Sequence, residues 1–127
     1  MGYDVEFLQI PVPPGITFPV AAETAKSLRG NAIPFDDVES LRAELLNIEG
    51  CRPGPAKTVD FFGRGLNYAR FTVKKNRIHV ENNASIPELL KIYRGLSDKY
   101  PTMVILDTQS QQLHDADSFS KWWAKPL

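Results

Sequence analysis

A single thiol, Cys51, serves all 127 residues. One cysteine cannot close an intramolecular disulfide, and such sparing use suits a reducing compartment. Histidines are almost as scarce: His79 and His114 are the only two. No H-x-H, H-E-x-x-H or paired-cysteine spacing accompanies them, so neither a metal nor any other cofactor is expected. Charge of one sign is missing too, with 15 basic residues against 15 acidic ones. No global field would therefore draw the chain to nucleic acid or to an anionic membrane. Long apolar runs are absent: the longest clean run, Met103 to Leu106, falls far short of the roughly 20 residues a membrane span needs. Tyr3-Asp4-Val5-Glu6 places acids where a secretory leader needs a basic region and an apolar stretch. The expectation is a soluble, cytoplasmic protein with no membrane partner. There is also no G-x-S-x-G and no phosphate loop. Gly63-Arg64-Gly65 precedes a strand rather than a helix, which makes it a hairpin turn and not a dinucleotide fingerprint.

What remains is an ordinary globular composition, 43% hydrophobic and 24% charged, expected to form one domain over residues 1–127 without covalent staples. Tyr3, Val5 and Phe7 alternate with Asp4 and Glu6 as in a half-buried strand, which the prolines at 11, 13 and 14 stop. A short helix between Pro19 and Gly30 would use Val20, Thr24 and Leu28 as its face. A clearer helix follows Asp36-Asp37, with Val38, Leu41, Leu45 and Ile48 recurring at three- and four-residue spacing before Gly50. Arg52 to Ala56 reads as a connecting loop. Ser85-Ile86-Pro87-Glu88 is a capping box opening a helix that runs through Leu96, and Pro101 lies beyond it. Met103 to Leu106 lacks alternation, as a central strand does. Leu113-His114-Asp115 predicts a brief return strand, and Asp117 or Ser118 a cap for a last helix carrying Phe119, Trp122 and Trp123.

The most informative stretch is Thr58 to Glu81, an alternating meander with two chemically different faces. A turn at Lys75-Asn76 pairs Val73 with Ile78, Phe71 with Val80, Thr72 with His79 and Arg70 with Glu81. Across the Gly63-Arg64-Gly65 turn the expected partners are Phe62 with Leu66, Asp60 with Tyr68 and Thr58 with Arg70. The core face collects Val59, Phe61, Ala69, Phe71, Val73, Ile78 and Val80. The other collects Phe62, Leu66 and Tyr68 at one end, then Arg70, Thr72, Lys74, Arg77, His79 and Glu81. The whole predicts an α+β fold: one mixed, mostly antiparallel sheet of four or five strands, with two main helices packed on one face.

Three functional classes follow. If the second face is open, Phe62, Leu66, Tyr68, Arg70, Thr72, His79 and Glu81 form a binding surface for a protein partner, with Trp122 and Trp123 as further members. The adjacent tryptophans cannot both point one way on a helix, and docking against the body is their expected state. Arg64-Gly65-Leu66-Asn67-Tyr68-Ala69-Arg70-Phe71 bears a partial resemblance to the RNP1 octapeptide of RNA-recognition domains, which implies single-stranded RNA binding. Leu66 and Asn67 depart from that pattern, and Asp60 and Glu81 would repel phosphate, so nucleic acid is the disfavoured partner. Asp107, His114 and Asp115 are candidate acid–base residues if they converge in a pocket; the plainer expectation is that the aspartates cap turns and the last helix. The favoured reading is a non-catalytic interaction protein, monomeric or homodimeric, of the kind that small bacterial accessory and toxin-immunity proteins exemplify. That likeness is one of build alone.

Overall fold

The computed structural model describes residues 3–123, with side chains to residue 121. Seven strands, β1 (Tyr3–Gln9), β2 (Cys51–Pro53), β3 (Val59–Phe62), β4 (Tyr68–Val73), β5 (Ile78–Asn82), β6 (Met103–Asp107) and β7 (Leu113–His114), form one sheet in the order β2-β3-β4-β5-β1-β6-β7. Every pairing is antiparallel. Four helices accompany it: α1 (Ala22–Arg29), α2 (Val38–Leu46), α3 (Ile86–Ser97) and α4 (Ala116–Trp123). The α+β class is as expected, but the sheet has seven strands rather than four or five. The additional edge strand β2 falls in the stretch read as loop. Pro53 and the following Gly54-Pro55 masked it, and it survives because proline is tolerated at a sheet edge.

Alternation decides which side chains meet the helices. Val5 and Phe7 of β1, with Val59, Ala69, Phe71, Ile78, Val80 and Ile105, are fully buried against α2, α3 and α4. Phe7 packs edge-on to Tyr93 of α3, with ring centroids 5.3 Å apart. Ser85 caps α3 by accepting from the Glu88 N–H at 3.4 Å, as the capping box requires, and Asp37 caps α2 through Ser40 N–H at 3.1 Å. The last helix is capped by Asp115, which accepts from Ser118 N–H at 2.8 Å, two residues before Asp117 and three before Ser118.

The second face is divided. Leu8, Ile10, Val104, Leu106 and Leu113 project there and form a separate core with Val20 and with Ala25 and Leu28 of α1. The helices are therefore not confined to one face. α2 and α3 share the main core as expected, while α1 covers the β1–β6–β7 end from the other side. Thr24 is exposed and Val20 lies outside α1, bridging to Leu113, so the apolar face of that helix is Ala25 and Leu28. Burial on both sides explains why Met103–Leu106 lacks alternation.

Both sheet edges are closed to strand addition. On β2 the outward-facing backbone belongs to Cys51 and Pro53; the Cys51 N–H donates to Ile48 O at 3.0 Å and proline has none to offer. On β7, Leu113 and Val20 exchange two backbone hydrogen bonds, at 2.8 and 3.1 Å. Among the described residues no helix is long and apolar enough to cross a membrane.

Phe71 sits at the centre of this arrangement, 0% exposed and 6.3 Å from the Phe7 ring. Phe71→Ala is expected to lower unfolding free energy by about 3–5 kcal/mol in chemical denaturation. A loss below about 1 kcal/mol would contradict the packing described.

Candidate functional site: the open half of the second sheet face

The face left uncovered by α1 spans β3, β4, β5 and the first half of β1. Its residues come from strict alternation, so they form rows across the strands. One row runs Arg52, Asp60, Arg70, Glu81, Asp4. The next holds Thr72, His79 and Glu6. Phe62 and Tyr68 lie opposite each other at the other end.

The β4–β5 register is as expected, residue for residue. The β3–β4 register is not: Phe62 faces Tyr68, Asp60 faces Arg70, and Val59 faces Phe71. The connection is a five-residue loop, 63–67, closed by Gly63 N–H to Asn67 O at 2.9 Å, rather than a three-residue turn. This two-residue slip preserves every residue's face but changes its partners. Leu66 leaves the strand and stands at the loop tip, 97% exposed.

The slip matters for charge. Arg70 aligns with Glu81, yet its guanidinium turns to Asp60, with Nε to Oδ1 at 2.8 Å and Nη2 to Oδ2 at 3.3 Å. Tyr68 donates to the same carboxylate at 3.0 Å. The Arg70 hydrogen bond foremost, then that from Tyr68, hold the Asp60 carboxyl below its ordinary range against the opposing effect of burial. Glu81 is left directly opposite Asp4, a like-charge neighbour. His79 lies between the carboxylates of β1, with Nε2 3.5 Å from Asp4 and Nδ1 3.3 Å from Glu6. Arg77 Nε approaches Glu6 at 3.1 Å as an ion pair. At the aromatic end the Phe62 and Tyr68 rings are 5.2 Å apart and Arg52 lies 5.4 Å over the Phe62 ring. Phe62 is 48% exposed, and Tyr68, Arg70, Thr72 and His79 are half-buried.

The C-terminal helix does not cover this face. Phe119 is fully buried in the main core on the helix side, next to His114. The side chains of Trp122 and Trp123 lie outside the described residues.

Asp107, His114 and Asp115 have structural partners. Asp107 is fully buried and accepts from Tyr3 Oη at 2.6 Å, Gln109 N–H at 3.1 Å and Ser110 Oγ at 2.6 Å, which orders the β6–β7 turn. His114 is also fully buried, with Nδ1 3.0 Å from Ser118 Oγ. Burial pushes its imidazole below the usual range, opposed by Asp107 and Asp115. Asp115, the α4 cap, lines a cleft of about 670 Å³ with Phe18, Tyr93 and Asp117; neither Asp107 nor His114 is among its walls. The three do not share one substrate-accessible cleft. No group of three or more histidine, cysteine, aspartate or glutamate side chains suited to a metal occurs among the described residues. Cys51 is half-buried, and desolvation pushes its thiol up to about 11.

No protein-family model matches the chain, and no curated protein or solved structure shows significant similarity to it. The residues and their geometry carry the functional reading by themselves.

Two outcomes follow from the titrating groups. His114 is held neutral in the fold, so stability is fully present above the unfolded imidazole value near 6.5 and falls as pH drops below it. Asp60 adds a second decline below the unfolded carboxyl value near 3.9, as pH falls toward its depressed folded value. In urea unfolding across pH, His114→Gln removes the first decline and Arg70→Met weakens the second; an unchanged profile in both variants would contradict these assignments. Cys51, with its raised thiol, is expected to resist alkylation at pH 8 in the native protein and to react at once in denaturant. Equal rates would refute its burial.

Proposed function

We propose that the protein is a non-catalytic interaction module that accompanies or neutralises a protein partner, in the manner of accessory and toxin-immunity proteins. Its working surface is the open half of the second sheet face: Phe62, Tyr68, Arg70, Thr72, His79 and Glu81. The supporting observation is the division of that face. One half, over β1, β6 and β7, is sealed by α1 with apolar side chains, while the other half, over β3 to β5 and the start of β1, carries a mixed aromatic and charged surface with no element over it among the described residues. Aromatic and arginine side chains with a polar surround are the composition of protein interfaces. The closed edges direct such a partner to the face and not to strand addition.

The same network disfavours RNA. Arg70 is engaged by Asp60, and the tyrosine hydroxyl that would flank a stacked base is engaged too. Leu66 supplies no ring, and the like-charged Glu81 and Asp4 repel phosphate. Catalysis through Asp107 and His114 would need substrate to reach two fully buried side chains.

Thr72 lies mid-face and takes part in none of the ion pairs, so it is the probe of choice. A photo-crosslinking amino acid at Thr72 is expected to capture a discrete protein adduct in the native cell. The same label at Lys26, exposed on α1, serves as the control. The captured partner, once purified, should bind Thr72→Arg at least tenfold more weakly than the original chain, with the thermal midpoint unchanged. Identical adducts from both positions, or unaltered affinity of Thr72→Arg, would overturn the proposal.

A further inference from the structure

A second surface lies on the helix side of β3 and borders the open face at Phe62. Loop 63–67 holds Leu66 out at 97% exposure, and hydrogen bonds tie down both of its ends. Asn67 donates through Nδ2 to Arg64 O at 2.6 Å and accepts from Ser85 N–H at 2.6 Å, tying the loop to the start of α3. The Arg64 N–H points to Glu88 Oε1 at 3.4 Å. Gly65 takes φ +60°, the left-handed conformation that lets the chain turn just before the leucine. A held loop loses little conformational freedom on docking, so its apolar tip is preorganised for contact.

Beside this knob is a groove of about 310 Å³ between the chain following α2, the end of β3 and α3. Its apolar walls are Ile48, Phe61, Phe62 and Ile92. Gly63 is one of its walls as well, and a side chain there would collide with the Glu88 carboxylate at 2.6 Å. The rim carries two acids, Glu49 and Glu88, and two bases, Arg64 and Lys91.

We infer that the occupant of this groove is Leu66 of a second copy of the chain, in a two-fold symmetric dimer that inserts both leucines reciprocally. Knob and groove adjoin on one molecule, the arrangement a self-complementary interface needs. A rim of one sign would repel its own copy across the two-fold axis. This rim is balanced, so acids of one copy can meet bases of the other, and the chain's zero net charge adds no long-range repulsion. The groove borders the open face at Phe62, which lines it, but Thr72, Arg70 and His79 project from the opposite side of the sheet, so Thr72→Arg and Leu66→Asp read the two surfaces separately.

Sedimentation equilibrium over concentrations up to about 1 mM tests it. The weight-average mass is expected to rise from 14.3 kDa toward twice that value, and Leu66→Asp is expected to stay at 14.3 kDa with an unchanged thermal midpoint. Arg64→Glu/Lys91→Glu and Glu49→Lys should each stay monomeric alone yet associate one-to-one when mixed, and the mixture should fall apart again when both carry Leu66→Asp. A chain monomeric throughout the range, a Leu66→Asp variant that associates like the original, or a mixture that does not associate would each overturn the dimer.

Discussion

The structure depends on the insertion of β1 between β5 and β6. β1 joins the meander of β2 to β5 to the β6–β7 pair, and without it neither half has a partner on its inner edge. Its inward residues, Val5 and Phe7, reach 0% exposure because strands lie on both sides and α3 lies beneath. Its outward residues change character along the strand, from Asp4 and Glu6 to Leu8. That switch, within seven residues, marks where the cover of α1 begins. One strand thus sets both the depth of the main core and the border of the open face.

The open face is kept together by its own charges. Asp60 collects Arg70 and Tyr68, and Glu6 collects Arg77 and His79. Individually such partly exposed pairs contribute little, on the order of 0–1 kcal/mol. Collectively they restrict which side chains remain available. Arg70 is drawn toward β3, so the β5–β1 seam keeps two opposed carboxylates while the β3–β4 end keeps a cation over an aromatic pair. The face is polarised, acidic toward β1 and aromatic with Arg52 toward β2, which gives any protein docking on it a defined orientation.

Much of this was legible in the sequence, for identifiable reasons. Side chains in a strand repeat every two residues, so the Thr58–Glu81 alternation identified both faces even though the β3–β4 pairing was displaced by two. The displacement came from the loop. Asn67 reads as a strand residue, and only its tertiary bond to Ser85 shows that it closes a five-residue connection. Strand β2 and the true start of α1 were hidden by prolines, whose place at an edge is decided by neighbours far along the chain. The division of the second face was hidden as well. Val20, Ala25, Leu28 and Leu113 carry no local sign that they share a core with Leu8 and Leu106. Turn chemistry was more transparent, because Asp107 and Asp115 bond to backbone within three residues of themselves.

Among the described residues the β3–β4–β5 face is uncovered, while the opposite face of the same strands is sealed. Hydroxyl-radical footprinting of the free chain reads this residue by residue. Phe62 and Tyr68 are expected to oxidise rapidly, with Phe61 and Phe71, their strand neighbours on the other side, strongly protected. Protection of Phe62 and Tyr68 equal to that of Phe71 would show that the face is covered, and would contradict the account.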